Sequence, residues 1–438
     1  MAESISAPKG TYDILPEQQP LRRWVVSCAE RVFQRYAYRR IDTPTFEETR
    51  LFTRGVGEST DIVRKEMYTF EDLGGRSMTL RPEGTAPVAR AYAEHGMHTL
   101  PQPVKLYYHS PMFRYESPQS GRYRQHYQLG VEAFGSEAPE LDAEVIGVLA
   151  ALYREVGLTS LELSLNSMGC SICRPPYAAA LRVFLAEKAG ELCTECGDRA
   201  DLNPMRTFDC KLASCRAALA AAPRLADHLC AACSDHYRRV QECLEMQDIS
   251  FIQDHALVRG LDYYTRTTYE FRSPVLGAQS GVGGGGRYDH LVEAIGGPAV
   301  PGVGFGTGVE RIVLALTRSG VELPQPPSPT AYLVAMTPAA RDEVFVLAHE
   351  VRTRGGAVDF DHMDRSAKGQ MKQAGRSGAR YAFILGEKEL ADRMVTVRDL
   401  STGEERSVPR TDVVELAMRD APTLESIDVE TSEEEDQH

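Results

Sequence analysis

Arg259 stands out in the segment ALVRGLDYYTRTTYEF, which runs from Ala256 to Phe271. It sits among apolar and strand-favouring residues, next to Gly260, with the adjacent phenols Tyr263 and Tyr264 just beyond. An always-charged guanidinium in what reads as a buried hairpin needs an anionic task. A second candidate surface lies in MFRYESPQSGRYRQHYQLGVEAFG, Met112 to Gly135. Pro118–Gly121 reads as a turn between two paired strands. On the second strand Arg122, Arg124, His126, Gln128 and Glu132 share one parity, so period two predicts a polar face running from cationic to acidic. A solvated sheet face is the ordinary alternative. The ordered gradient beside Gly130 favours a ligand with an anionic and a cationic end.

Three further stretches carry chemistry. In GVGFGTGVERI, glycines alternate from Gly302 to Gly308, leaving one strand face without side chains, where a flat ring such as adenine could approach. Arg311 follows at a helix start and can fork to a phosphate. In TLRPEGTAPVARAY, Pro82 breaks a strand and Thr85 can cap a helix, which leaves Glu83 free at the junction to hold an ammonium group. The G-x-G-x-x-G inside GVGGGGRYD is weak evidence within a glycine run, and no P-loop pattern occurs. Any ATP site must therefore rely on arginines.

The elements that would position these residues fall into three blocks. A helix is predicted over about Glu17 to Tyr38, followed to about Ser167 by mixed strands and helices of α+β type. A helical, cysteine-rich insertion spans 169–247, strands resume at Ile249, and the first domain closes at about 325. A proline-rich linker, 322–330, leads to a small α/β domain, 331–421, with a mainly parallel sheet and helices near Ala339–Arg354 and Ser366–Gly375. The last stretch, 422–438, reads as a disordered acidic tail. The net charge is −13, but eight acidic residues and no Lys or Arg lie from Asp420 onward, which leaves −5 for the rest. With no long apolar run and no leader, the chain reads as soluble and cytoplasmic, with no membrane partner.

Ten cysteines are present, eight of them within the insertion, as Cys170-x₂-Cys173, Cys193-x₂-Cys196, Cys210-x₄-Cys215 and Cys230-x₂-Cys233. Four such pairs have the spacing for two structural zinc sites, and reduced thiols in small helices are the other reading. The metal content stays open at this point.

TLRPEGT, FRYESPQSGRYRQHYQLG, LVRGLDYY, GGGGRYD and GFGTGVERI, in that order, resemble the histidyl-tRNA synthetase family, class II aminoacyl-tRNA synthetases of bacterial type. KGTYDILP and the stretch TPTFEETRLFTRGVGESTDIVRKEMYTF are similar to the family's start and its dimer-forming first motif. The resemblance implies an antiparallel-sheet catalytic core, the helical insertion, a C-terminal α/β anticodon-binding domain, and a homodimer. It implies that L-histidine is activated by ATP with Mg²⁺ and passed to tRNA(His). Arg259 and Arg114 would hold the carboxylate and α-phosphate from opposite sides, and Arg122, Arg124 and Arg311 would serve ATP. Glu83, Gly84, Thr85 and Gln128 would take the α-ammonium, with Glu132 and Tyr264 on the two imidazole nitrogens and Tyr263 beside them. Gly283 departs from the small polar or sulfur residue common in the family, which puts the pocket floor in question. Lys368, Lys372 and Arg376, at four-residue spacing, become a candidate track for tRNA phosphates. The rival is an inactive paralogue acting as histidine-sensing regulatory subunit of ATP phosphoribosyltransferase. Such a paralogue lacks the distal domain and degrades the arginine set, and both are present here.

Overall fold

The computed structural model describes residues 4–58, 60–277, 280–321 and 328–419. The chain divides into two compact units, Met1–Leu323 and Pro324–His438. The proline-rich linker falls mainly, and the acidic tail wholly, outside the described residues.

The first unit is built on an eight-stranded sheet. Its order is Arg39–Arg40, Val104–Phe113, Gln125–Phe134, Gly302–Gly308, Gly281–Arg287, Thr265–Arg272, Glu162–Ser167 and Ile252–Gln253. The two outermost pairs are parallel and every pairing between them is antiparallel. One face is covered by the helices Gln19–Arg35, Pro139–Glu155, Ala231–Glu245 and Val309–Ser319. Phe305 turns to that side and meets Phe33, with ring centroids 6.1 Å apart. Residues of the opposite parity, Glu132, Gln128, Gly304 and Gly306, therefore share the other face.

Register also settles Gly283. It pairs with Thr307, on the helix-covered parity, and a Cβ there would collide with the Tyr153 hydroxyl. The departure at this position thus concerns the helix layer, not the pocket floor.

The insertion carries the helices Arg174–Glu187, Thr194–Leu202, Ala213–Leu219 and Ala231–Glu245. Its own core is small: Tyr177, Leu181, Leu185, Leu219 and Leu225 with Cys173 and Cys233. A buried polar knot joins its last helix to the sheet. His236 Nε2 lies 2.7 Å from Asp142 Oδ2, and the Arg287 guanidinium donates to the same carboxylate.

The second unit differs from a mainly parallel sheet. Ala331–Ala335 pairs in parallel with Val358–Phe360 and Tyr381–Leu385, but Met394–Asp399 and Glu405–Pro409 continue the sheet antiparallel. That hairpin reads MVTVRD and ERSVP, short alternating runs joined at Thr402-Gly403, with Gly403 left-handed at φ +78°. Its predicted helices appear as Ala340–Thr353 and Ala367–Ala374, the latter capped by the Ser366 side chain on Gly369 N. Lys368 and Lys372 are exposed on that helix, whereas Arg376 is exposed beyond its end, because the chain leaves the helix at Gly375 and turns left-handed at Gly378.

Candidate active site

Glu132 is 0% exposed in mid-strand. Room for its carboxylate comes from the neighbouring strand, where a Cβ at Gly304 would collide with Oε2. Gly306 is bare for the same reason under the Gln128 amide, and Gly302 under the Tyr288 ring. The alternate glycines expected to admit a flat ring are thus overlaid by side chains of the pocket itself. Three hydroxyls converge on Glu132. Thr85 donates to Oε1 at 2.8 Å, Tyr108 to Oε1 at 3.5 Å, and Tyr288 to Oε2. Burial outweighs these donors and pushes the carboxyl up to about 8.

Glu83 is not free at its junction. It is buried, and it accepts from the amides of Thr85 at 2.8 Å and Ala86 at 2.9 Å, at the start of the helix Thr85–Glu94. Burial raises its pKa while those amides oppose the rise. Gly84 lies against the Tyr108 ring, where a Cβ would collide. Tyr263 and Tyr264 are buried with ring centroids 4.8 Å apart, and Tyr263 lies 5.6 Å from Tyr288. Hydroxyl and aromatic groups are therefore packed around one acidic centre.

The cations lie around this pocket. Arg259 stands in a loop before the strand Thr265–Arg272, not on a hairpin strand. Its guanidinium donates to Glu270 Oε2 at 2.8 Å and lies 6.0 Å from the Tyr264 ring centre. Gly284 lets it approach the sheet, since a Cβ there would stand 3.0 Å from Nη1. The loop is held by Arg206 of the insertion, which donates to Gly260 O at 2.8 Å, and by Asp262 N donating to Val56 O at 3.1 Å. A cavity of about 240 Å³ opens between Arg259, Tyr264, Asn203 and Arg206.

Arg114 donates to Pro82 O at 2.7 Å, beside the Glu83 turn. Arg311 donates to Gly281 O at 3.0 and 2.7 Å, and burial followed by repulsion from Arg122 pushes its pKa down. Arg122 pairs with Glu116 at 3.3 Å, and Arg124 stacks 3.7 Å from the Tyr115 ring centre. Neither lies on the strand, which begins at Gln125. Gly121 turns left-handed at φ +74°, and Arg124 N donates to Gly10 O. His126 is held neutral, pushed down to about 3 by burial and then by Arg114.

Two buried polar atoms here have no partner among the described residues: Gln128 Oε1, an acceptor, and Arg259 Nε, a donor. An unsatisfied buried acceptor matches an ammonium and an unsatisfied buried donor matches an oxyanion.

Sequence reasoning missed Tyr108, Tyr288 and Glu270. Glu270 shares parity with Thr268 on the site face, so period two on TRTTYEFR could have found it. No pattern in the sequence singles out the Tyr108 or Tyr288 hydroxyl, and only the fold shows where they point.

An antiparallel sheet that presents arginines in place of a P-loop is the architecture of class II aminoacyl-tRNA synthetases. The family profile described as histidyl-tRNA synthetase matches residues 10–312, and the one described as anticodon binding domain matches 330–419. A curated histidine–tRNA ligase of Caldanaerobacter subterraneus subsp. tengcongensis is 47% identical over 92% of this chain and 96% of its own. The crystal structure of apo S. aureus histidyl-tRNA synthetase superposes with a TM-score of 0.80 at 38% identity, covering 94% of this chain and all of that one. A Bacillus halodurans C structure titled ATP phosphoribosyltransferase regulatory subunit/histidyl-tRNA synthetase shares the fold, with a TM-score of 0.61 at 22% identity over 88% of this chain and 99% of its own. The chain belongs to the histidyl-tRNA synthetase family.

Proposed function

We propose that this chain is a histidine–tRNA ligase whose chemistry runs on the face of the sheet that carries Glu132. The unpartnered acceptor of Gln128 and donor of Arg259 carry this reading, because they suit the opposite charged ends of one amino acid. Gln128, with Thr85, Gly84 and Glu83 around the helix start, takes the α-ammonium. Glu132 accepts from one imidazole nitrogen and Tyr264 serves the other, with Tyr263 closing the side. A site that pairs both ring nitrogens rejects isosteres that leave a buried partner unmatched, often by about 10⁴-fold.

A histidine carboxylate oxygen then attacks the α-phosphorus of ATP, a P–O bond forms, and pyrophosphate departs. Arg259 spans carboxylate and phosphate while negative charge spreads over the phosphoryl oxygens, and Arg114 holds the α-phosphate from the Glu83 side. Arg311, Arg122 and Arg124 serve the outer phosphates, where repulsion between Arg311 and Arg122 is relieved when an anion binds. Mg²⁺ bound with ATP supplies further neutralisation of the leaving pyrophosphate. In the second step a terminal ribose hydroxyl of tRNA(His) attacks the activated carbonyl and AMP leaves. Lys368, Lys372 and Arg376 track phosphates of the anticodon stem.

A homodimer is supported by Phe46 and Phe70 on the three-stranded sheet of the first motif. These are 50% and 44% exposed with ring centroids 6.2 Å apart, an apolar pair in want of a cover. The cytoplasm suits this activity, and among the described residues no helix is long and apolar enough to cross a membrane. The regulatory-subunit reading has less behind it, since its structural relative speaks to fold alone at 22% identity. ATP–pyrophosphate exchange across all common amino acids is the test. Exchange driven by histidine alone supports the ligase, and histidine binding without exchange would return the regulatory reading.

A further inference from the structure

The eight insertion cysteines are far from evenly spread. Cys170, Cys173, Cys230 and Cys233 form one group and Cys193, Cys196, Cys210 and Cys215 another, each with its sulfur atoms within 4.8 Å of one another. All eight are free thiols. Cys170 Sγ lies 3.6 Å from Cys173 Sγ and 3.9 Å from Cys230 Sγ, and Cys193 Sγ lies 4.0 Å from Cys210 Sγ. A disulfide needs about 2.05 Å between sulfurs. A tetrahedral zinc with bonds of about 2.3 Å sets its sulfurs about 3.8 Å apart, which is the spacing found.

Backbone amides also point at sulfurs of both groups. Backbone N–H groups of Ile172 and Cys230 donate to Cys170 Sγ at 3.4 Å and Cys173 Sγ at 3.1 Å. In the second group Cys193 N donates to Cys215 Sγ at 3.2 Å. Arg174, directly after Cys173, has a buried Nη2 with no hydrogen-bond partner among the described residues, a cation beside this cysteine group. Each pair also lies at or just before the start of a helix, Arg174–Glu187, Thr194–Leu202, Ala213–Leu219 or Ala231–Glu245, where amide donors collect.

We propose that the insertion binds two structural zinc ions, one on Cys170, Cys173, Cys230 and Cys233 and one on Cys193, Cys196, Cys210 and Cys215. The first ties together positions 60 residues apart, where the chain enters the insertion and where its last helix begins. It closes that loop in a module whose apolar core is too small to do so alone. The second brackets the segment from Cys196 to Cys210, which contains Asn203 and Arg206. Both reach the catalytic loop: Asn203 Nδ2 donates to Asp262 Oδ1 at 3.3 Å, and Arg206 to Gly260 O at 2.8 Å. This zinc therefore acts as a positioning element for the loop that presents Arg259.

The test is metal analysis of the full-length protein from zinc-supplied cells, purified without chelator, with a thiol reagent then added beside a chromogenic zinc indicator. Two zinc ions per chain are expected, each released as four thiols are modified. Cys173→Ser with Cys233→Ser should remove one ion, and Cys196→Ser with Cys210→Ser should remove the other. If the variants fail to fold, release from the unaltered protein still decides. No stoichiometric zinc with eight immediately reactive thiols overturns the proposal, as does stoichiometric iron or cysteines recovered as disulfides.

Discussion

The eight-stranded sheet and the insertion hold themselves together by opposite means. The sheet buries large side chains on its helix-covered face, among them Phe33, Phe305 and Tyr153. It can therefore hold a carboxyl at Glu132 met only by hydroxyl donors, and a charged knot at Asp142 and Arg287, on 0% exposed side chains. The insertion gathers only a few leucines and one tyrosine around Cys173 and Cys233, and its second cluster is cysteine almost throughout. Rigid apolar packing frees polar residues for chemistry, whereas a small module has to spend its polar chemistry on staying folded.

The comparison breaks most sharply at Gly304. Its Cβ position is closed by Val131 O, a backbone atom, as well as by Glu132, so moving the Glu132 side chain would not make room for Gly304→Ala. Destabilisation of about 1–3 kcal/mol is expected, with loss of histidine binding and with the metal content of the insertion unchanged. Denaturant unfolding and metal analysis of the same sample check this. A variant of normal stability would show that the sheet is looser than described.

Glu132→Gln comes next. An imidazole N–H that binds Glu132 draws its carboxyl toward the ionised form, which the amide of Gln cannot follow, so histidine use should fall by about 10- to 100-fold, while the apparent affinity for ATP changes far less. Steady-state exchange with each substrate varied separates the two, and equal losses would count against the pocket assignment. The same variant reads the buried charge through pH. Burial raises the Glu132 carboxyl from 4.5 to about 8, so the folded chain keeps a proton that the unfolded chain releases. The contribution of this group to stability therefore declines as pH rises from about 4.5 to about 8. The stability difference between Glu132→Gln and the parent chain should grow in the variant's favour across that window.

How much of this was legible in the sequence follows the same division. Period two on the strand Gln125–Phe134 located Gln128 and Glu132, because a buried sheet with one polar parity leaves its pattern in the chain. The adenine reading of Gly302–Gly308 went astray because pattern shows a missing side chain but not what fills the space. Here that is Glu132, Gln128 and Tyr288. Arg122 and Arg124 shared the strand's parity yet lie before it, since nothing local announces that Arg124 N turns to Gly10 O. In the insertion the cysteine spacing gave the pairs, but which pair meets which depends on contacts across 60 residues. The antiparallel hairpin of the second unit was missed because short, half-exposed strands carry little pattern.

The smallest effect expected is at the distal helix. Lys368, Lys372 and Arg376 changed together to Ala should lower tRNA charging by roughly ten-fold at low salt and leave pyrophosphate exchange untouched. The gap should narrow as salt rises, because each removed phosphate contact reduces the salt dependence. A parallel fall in both assays would mean that the three residues support the fold instead.

Single-turnover formation of histidyl-adenylate by Arg259→His, measured beside histidine binding, tests the central claim most directly. On the proposed mechanism Arg259 stabilises charge that develops only as the carboxylate meets the phosphate. The rate should therefore drop by about 10²-fold or more while histidine affinity changes little. A near-normal rate, or a loss confined to histidine binding, would contradict the account.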